Sequence, residues 1–200
     1  MNRRIFLSSL AGVVSAGIAK GDNSRGPIIV EAGRRVDAPD AKAVRFPKQN
    51  VPNVRKKIRQ FLLNTKPVAT VSSAACGADL LLLEVAAGMH IPRYILLPSK
   101  PDDFRESSVT DRPGNWGELY SKALSTSRVE VLKLPEGQEG YLETNLKLLD
   151  RAQTLAKQES TIVNALVVWN RESRGPDDVT AHFLEQAKLR NLPIVEIATL

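Results

Sequence analysis

An α/β fold with a mostly parallel sheet of about six strands and helices on both faces is what this 200-residue chain predicts. Three observations carry that expectation. Short apolar runs alternate with helix-forming segments along the whole body of the chain. Residues 161–169 form an apolar run suited to a strand buried on both faces. Residues 67–89 pass from a β-type run (Val68, Ala69, Thr70, Val71) through small residues (Ser72 to Gly77) into a strong helix former beginning at Asp79. With 42% hydrophobic and 25% charged residues, the composition is that of a globular chain large enough for one sizeable core.

Residues 1–26 are set apart from the fold. Arg3 and Arg4 precede a short apolar segment, Ile5 to Ala19, rich in Ala, Gly, Ser and Val. That order of charge, apolar stretch and small residues is the order of an export signal, and Arg3-Arg4-Ile5-Phe6-Leu7 resembles the twin-arginine motif. The segment is too short and interrupted for a stable membrane span. It points to export to the periplasm; the alternative is an N-terminal extension on a cytoplasmic domain. The folded domain is assigned to residues 27–200.

Within it, 27–33 reads as the first strand, ending at a glycine, and 34–40 as a polar loop. A helix over 51–64 places Val54, Ile58, Phe61 and Leu62 on one face. The small-residue turn after the second strand faces the first turn of the next helix. Free backbone N–H groups and the positive end of the helix dipole would meet there, a geometry suited to phosphate. The third strand spans 92–98, followed by a loop over 99–108 whose length suggests a binding segment. A helix over 115–124, a strand over 129–134 and a helix from Gly140 follow, the last carrying Leu142, Leu146, Leu149, Ala152 and Ala156 inward. After the strand at 161–169 come a polar loop (170–178), a helix (179–190) and a final strand (192–197).

Charge and composition narrow the chemistry. The net charge is +6, from 28 Lys and Arg against 22 Asp and Glu, and +4 without Arg3 and Arg4. The basic residues are dispersed, without the clustered Lys/Arg and interleaved aromatics of a nucleic-acid groove, so nucleic acid is disfavoured as a partner. The one cysteine, Cys76, and two separated histidines, His90 and His182, form no metal-ligand cluster, so no metal is expected. There is no Walker-type Gly-Lys-Ser/Thr and no G-x-G-x-x-G after the first strand, and no cofactor is predicted. A set of acid, base and nucleophile is not recognisable, and oligomeric state is not legible.

In a parallel sheet, ligands gather at the carboxyl ends of the strands. The loops there bring Arg34, Arg35 and Asp37; Ser72, Ser73, Gly77 and Asp79; Arg105; Asn145; and Thr180. Arginines neutralise phosphates, while Asp and Asn accept from ribose or base donors. Asp79 and Thr180 also have plain explanations, as a first-turn acid and a helix-start residue.

Gly33-Arg34-Arg35-Val36-Asp37-Ala38-Pro39, Ser72-Ser73-Ala74-Ala75-Cys76-Gly77-Ala78-Asp79, Leu97-Pro98 with Asp103 to Val109, Tyr141-x-x-Thr144-Asn145 and Trp169 together resemble the SLOG superfamily. That group of Rossmann-like three-layer domains includes the LOG phosphoribohydrolases and DNA-processing protein A, and the resemblance covers residues 28–197. It implies binding or sensing of a small nucleotide-derived ligand, with Arg35, Ser72, Ser73, Gly77, Asp79 and Asn145 as binding positions. Two alternatives follow from the same resemblance. One is hydrolysis of a nucleotide N-glycosidic bond; the LOG motif P-G-G-x-G-T-x-x-E corresponds to Pro135 to Glu143, which makes Glu143 the candidate acid. The other is single-stranded nucleic-acid binding. Asp177 and Asp178 depart from the family's glycine-rich last loop, and an acidic pair there would repel phosphate.

Overall fold

The computed structural model describes residues 25–200. The export-like segment predicted over 1–26 therefore lies outside the described residues except at its end. There the chain already joins the body, since Arg25 pairs with Glu159 and the Thr161 hydroxyl donates to the Gly26 carbonyl.

Six strands form one parallel sheet: β1 (Ile28–Gly33), β2 (Ala69–Ser72), β3 (Arg93–Leu97), β4 (Arg128–Val131), β5 (Val163–Trp169) and β6 (Ile194–Ala198). Their spatial order is β4-β3-β2-β1-β5-β6, a Rossmann-like arrangement in which the winding reverses between β1 and β5. The connecting helices are α1 (Val51–Thr65), α2 (Ala78–Gly88), α3 (Pro101–Ser108), α4 (Trp116–Ser125), α5 (Gln138–Gln158) and α6 (Val179–Leu189).

Alternation along β1 divides the core in two. Ile29 joins Val54, Ile58 and Leu62 of α1 and the leucines of α2 on one face. Ile28, Val30 and Ala32 join Leu149 and Ala152 of α5 and Phe183 of α6 on the other. The fully buried Leu80-Leu81-Leu82-Leu83 run makes α2 apolar all round, because it is covered by the sheet, α1 and α4. Within the apolar run at 161–169, Val163–Trp169 form a nearly fully buried strand, internal to the sheet between β1 and β6, while Ile162 ahead of it is exposed.

Three expectations are corrected. Residues 101–108 are helical, because Pro101 starts the helix, Asp102 and Asp103 favour its first turn, and Phe104 buries its inner face. β4 stops at Val131, short of 134, since Lys133 adopts a left-handed conformation (φ 57°) that an extended strand cannot continue through. Leu142 and Leu146 are only half-buried. The inward face of α5 instead runs through Thr144, Asn145, Leu148, Leu149, Ala152, Leu155 and Ala156, so polar side chains occupy its first inward turn.

The long segment between β1 and α1 is fastened at several points. Asp37 accepts from the Arg45 and Phe46 amides, each at 3.0 Å, closing residues 38–46 into a loop. Beyond β6, the Thr199 hydroxyl donates to the Arg45 carbonyl at 2.5 Å, and Asn50 donates to the Thr199 carbonyl at 2.8 Å.

Gly77 opens α2 at φ 97°, ψ −123°, and a Cβ there would lie 2.6 Å from the Arg34 carbonyl and 2.8 Å from the Val36 nitrogen. Gly77→Ala is expected to lower the unfolding free energy by about 1–3 kcal/mol or more through strain and clash, read as a reduced urea midpoint.

Candidate ligand cavity at the strand ends

At the carboxyl edge, where the strand order reverses, lies a cavity of about 490 Å³. Gly33, Arg34 and Arg35 reach it from the end of β1, and Asp37 and Arg45 from the closed loop that follows. Ser73 and Ala75 enter after β2, with Asp79 from α2. Phe104 and Ser108 come from α3 and Arg112 from the loop behind it. The first turns of α5 supply Gln138, Tyr141, Thr144 and Asn145, and the segment after β5 supplies Arg174 and Thr180.

Arg34 does not present its charge to this cavity. Its Nη1 and Nη2 donate to the two carboxylate oxygens of Asp178 at 2.6 and 2.7 Å, Nη2 also donates to the Glu172 carbonyl, and Nε donates to Asn170. Both side chains are buried, and the guanidinium lies over the Trp169 ring at 5.6 Å. Burial alone would raise Asp178, but the bonds from Arg34 and from the Arg174 and Ala181 amides outweigh it and hold the carboxyl at about 2. Asp178 also caps α6 through the Thr180 and Ala181 amides. The expected repulsion of phosphate by Asp178 is thereby corrected, because Arg34 neutralises it.

The anion corner expected at Gly77 is also corrected. The Cys76 amide donates to the Ser108 carbonyl, Ala78 to the Arg34 carbonyl and Leu80 to the Ala75 carbonyl, while Ala75 donates to the Asp79 carboxylate. Those amides are used inside the protein. The small residues at 74–78 serve close packing of the turn against residues 34–36. Cys76 fills that turn, and burial pushes its thiol up to about 12.

Of the remaining predicted site residues, Arg35, Asp37, Ser73, Asp79, Asn145 and Thr180 come together on the cavity wall. Arg35 pairs with Asp111, and Ser73 donates to the Leu96 carbonyl. Asn145 holds α5 to α6 through the Val179 carbonyl and lies 3.2 Å from His182 Nδ1. Three lie elsewhere. Ser72 is fully buried within β2, Gly77 faces backbone, and Arg105 lies along Gly117 of α4. Glu143 pairs with Lys147 and lines a separate shallow hollow with Leu142, Leu146 and His182, so the candidate acid is not at the cavity.

Sequence reading missed Arg45, Arg112, Arg174 and Glu31. The three arginines sit in loops whose course no local pattern reveals. Glu31 did leave a signal, a charge inside an apolar strand, because its side chain is fully buried. Burial and the nearby charge of Asp79 push Glu31 well above the usual carboxylate range, and burial raises Asp79 itself to about 7. Burial lowers Arg174, and the guanidinium groups of Arg34, Arg45 and Arg35 lower it further against the pull of Asp178.

No family model and no curated protein matches this chain. Solved structures similar to it include two of DNA processing proteins. One is DNA processing protein A (DprA) from Streptococcus pneumoniae, 17% identical with a TM-score of 0.41 over 85% of this chain and 58% of that one. The other is DNA processing protein A from Helicobacter pylori, 12% identical with a TM-score of 0.39 over 82% and 74%, reported for its single-stranded DNA binding mode. The chain thus spans 58% of the Streptococcus protein's length. The expectation that sets nucleic acid aside as a partner meets a contrary finding in the Helicobacter protein's reported binding of single-stranded DNA. Among the described residues no helix is long and apolar enough to cross a membrane, and no three His, Cys, Asp or Glu side chains converge on a metal-sized site.

Arg34→Met leaves Asp178 buried without its partner and is expected to cost about 3–5 kcal/mol in chemical unfolding. The raised carboxyl of Asp79 keeps a proton in the folded state that the unfolded chain releases, so stability declines as pH rises from about 4 to 7. Asp178 acts oppositely, its contribution being lost as pH falls from about 4 to 2. The melting temperature is expected to peak near pH 4, and Asp79→Asn is expected to flatten the decline above it.

Proposed function

We propose that the cavity binds a phosphate-bearing, nucleotide-type small molecule. The observation that carries this is the charge at its mouth. Arg35, Arg45, Arg112 and Arg174 all line the cavity, while Asp111 and Asp178 are the carboxylates that form ion pairs with the arginines there. Arg45 forms no ion pair among the described residues. Like charges gathered around one cavity repel one another, and a bound anion relieves the repulsion. A volume of about 490 Å³ accommodates a mononucleotide. The Ser108–Tyr141 hydroxyl pair, 3.0 Å apart, supplies polar partners for a sugar. A SLOG-type ligand-binding role agrees with this chemistry.

A second reading, binding of a nucleotide unit within single-stranded DNA, is favoured by the outward position of the arginines. The Arg174 side chain is 46% exposed and that of Arg35 32%, on surface over which a phosphodiester backbone can run. N-glycosidic hydrolysis, by contrast, loses the acid assigned to it, since Glu143 pairs with Lys147 away from the arginines.

Calorimetric titration with nucleoside monophosphates and ADP-ribose is expected to give saturable binding, weakened about tenfold by Arg45→Ala and by Arg174→Ala. Binding of a single-stranded 20-mer with a steep salt dependence, without binding of mononucleotides, would replace the first reading by the second. Failure of every nucleotide and of the oligonucleotide at millimolar concentration overturns both.

A further inference from the structure

The buried floor of the cavity is acidic. Glu31 is fully buried on β1, and no protein group among the described residues donates to either of its carboxyl oxygens. The side chain reaches along the strand toward the cavity, for a Cβ placed on Gly33 would lie 2.9 Å from Glu31 Oε1. Asp79 comes from α2, only 6% exposed, with one carboxylate oxygen accepting from the Ala75 amide. Both residues line the cavity. Buried polar atoms in folded proteins almost always have partners, so an orphaned pair of oxygens at the base of a ligand-sized cavity points to a donor that arrives with the ligand. A carboxylate only accepts, so a ligand whose N–H groups replace the retained proton meets acceptors that no protein group among the described residues fully satisfies.

Resting on the reading of the cavity as a nucleotide site, we propose that Glu31 and Asp79 select a guanine-type base by accepting its adjacent N–H groups while the arginines hold its phosphate. Guanine presents N1–H and the N2 amine side by side on one edge. The corresponding edges of adenine and cytosine pair a donor with an acceptor, and uracil flanks one donor with two acceptors. Each of these would turn a lone pair toward a carboxylate. The raised carboxyls fit this role, because two N–H bonds from a base supply what the pair otherwise draws from a retained proton. Gly33 contributes by lacking a side chain, since a Cβ would lie 2.4 Å from the Ala78 Cβ as well as against Glu31.

The test is calorimetry on the full chain with GMP, AMP and ribose 5-phosphate. GMP is expected to bind at least tenfold tighter than either of the others. Asp79→Asn, which replaces acceptor capacity with a donor, is expected to collapse the ratio of GMP to ribose 5-phosphate affinity toward one. Glu31→Gln is expected to do the same, and if it fails to fold by circular dichroism, Asp79→Asn decides alone. AMP binding as tightly as GMP, or a GMP preference that survives Asp79→Asn, overturns the assignment of the base while leaving the anion site in place. Failure of all three probes removes the nucleotide site itself and this inference with it.

Discussion

The bidentate pair between Arg34 and Asp178 is the constraint on which the carboxyl edge depends. It joins the end of β1 to the start of α6 across the point where the sheet reverses direction. A buried ion pair is not a large net source of stability, because desolvation offsets much of its attraction. Its value here is positional. Four interactions on one guanidinium fix residues 170–178, and Asp178 in turn supplies the cap that starts α6. Arg174, whose amide also donates to Asp178, is delivered to the cavity mouth by the same arrangement.

The cavity that results has two unlike regions. Its mouth is cationic and part-exposed; its floor is acidic and buried. Each would be unfavourable alone, the one through repulsion among arginines and the other through desolvation of carboxyls. They are separated by depth and tied to different elements. The arginines sit on loops, whereas Glu31 and Asp79 sit on a central strand and the most buried helix. A molecule that is anionic at one end and rich in N–H donors at the other complements both.

Most of the architecture was legible in the sequence, because alternating apolar runs and amphipathic helices are local patterns. Segments that failed did so for local reasons with tertiary causes, as at Lys133, whose backbone leaves the β region, and at α3, whose Phe104 has a core to enter. The site was legible by loop but not by role. Arg34 and Arg35 are adjacent and chemically identical in sequence, yet one is spent on Asp178 and the other lines the cavity beside Asp111. The Gly77 corner carried the composition of an anion site, and only the hydrogen bonds of Ala75, Cys76 and Ala78 reveal that it packs against residues 34–36 instead. Arg45 was hidden because its place depends on Asp37, eight residues earlier, and on Thr199, from the far end of the chain.

That last attachment has a mechanical meaning. Thr199 follows the outer strand β6 and grips the backbone of Arg45, while its amide is bonded to Trp169 at the end of β5. Any sliding of β6 against β5 is thus transmitted to the loop carrying a charge at the entrance. The margin of the sheet and the rim of the opening are thereby joined, and the position of Arg45 is set from behind by the residues that follow β6.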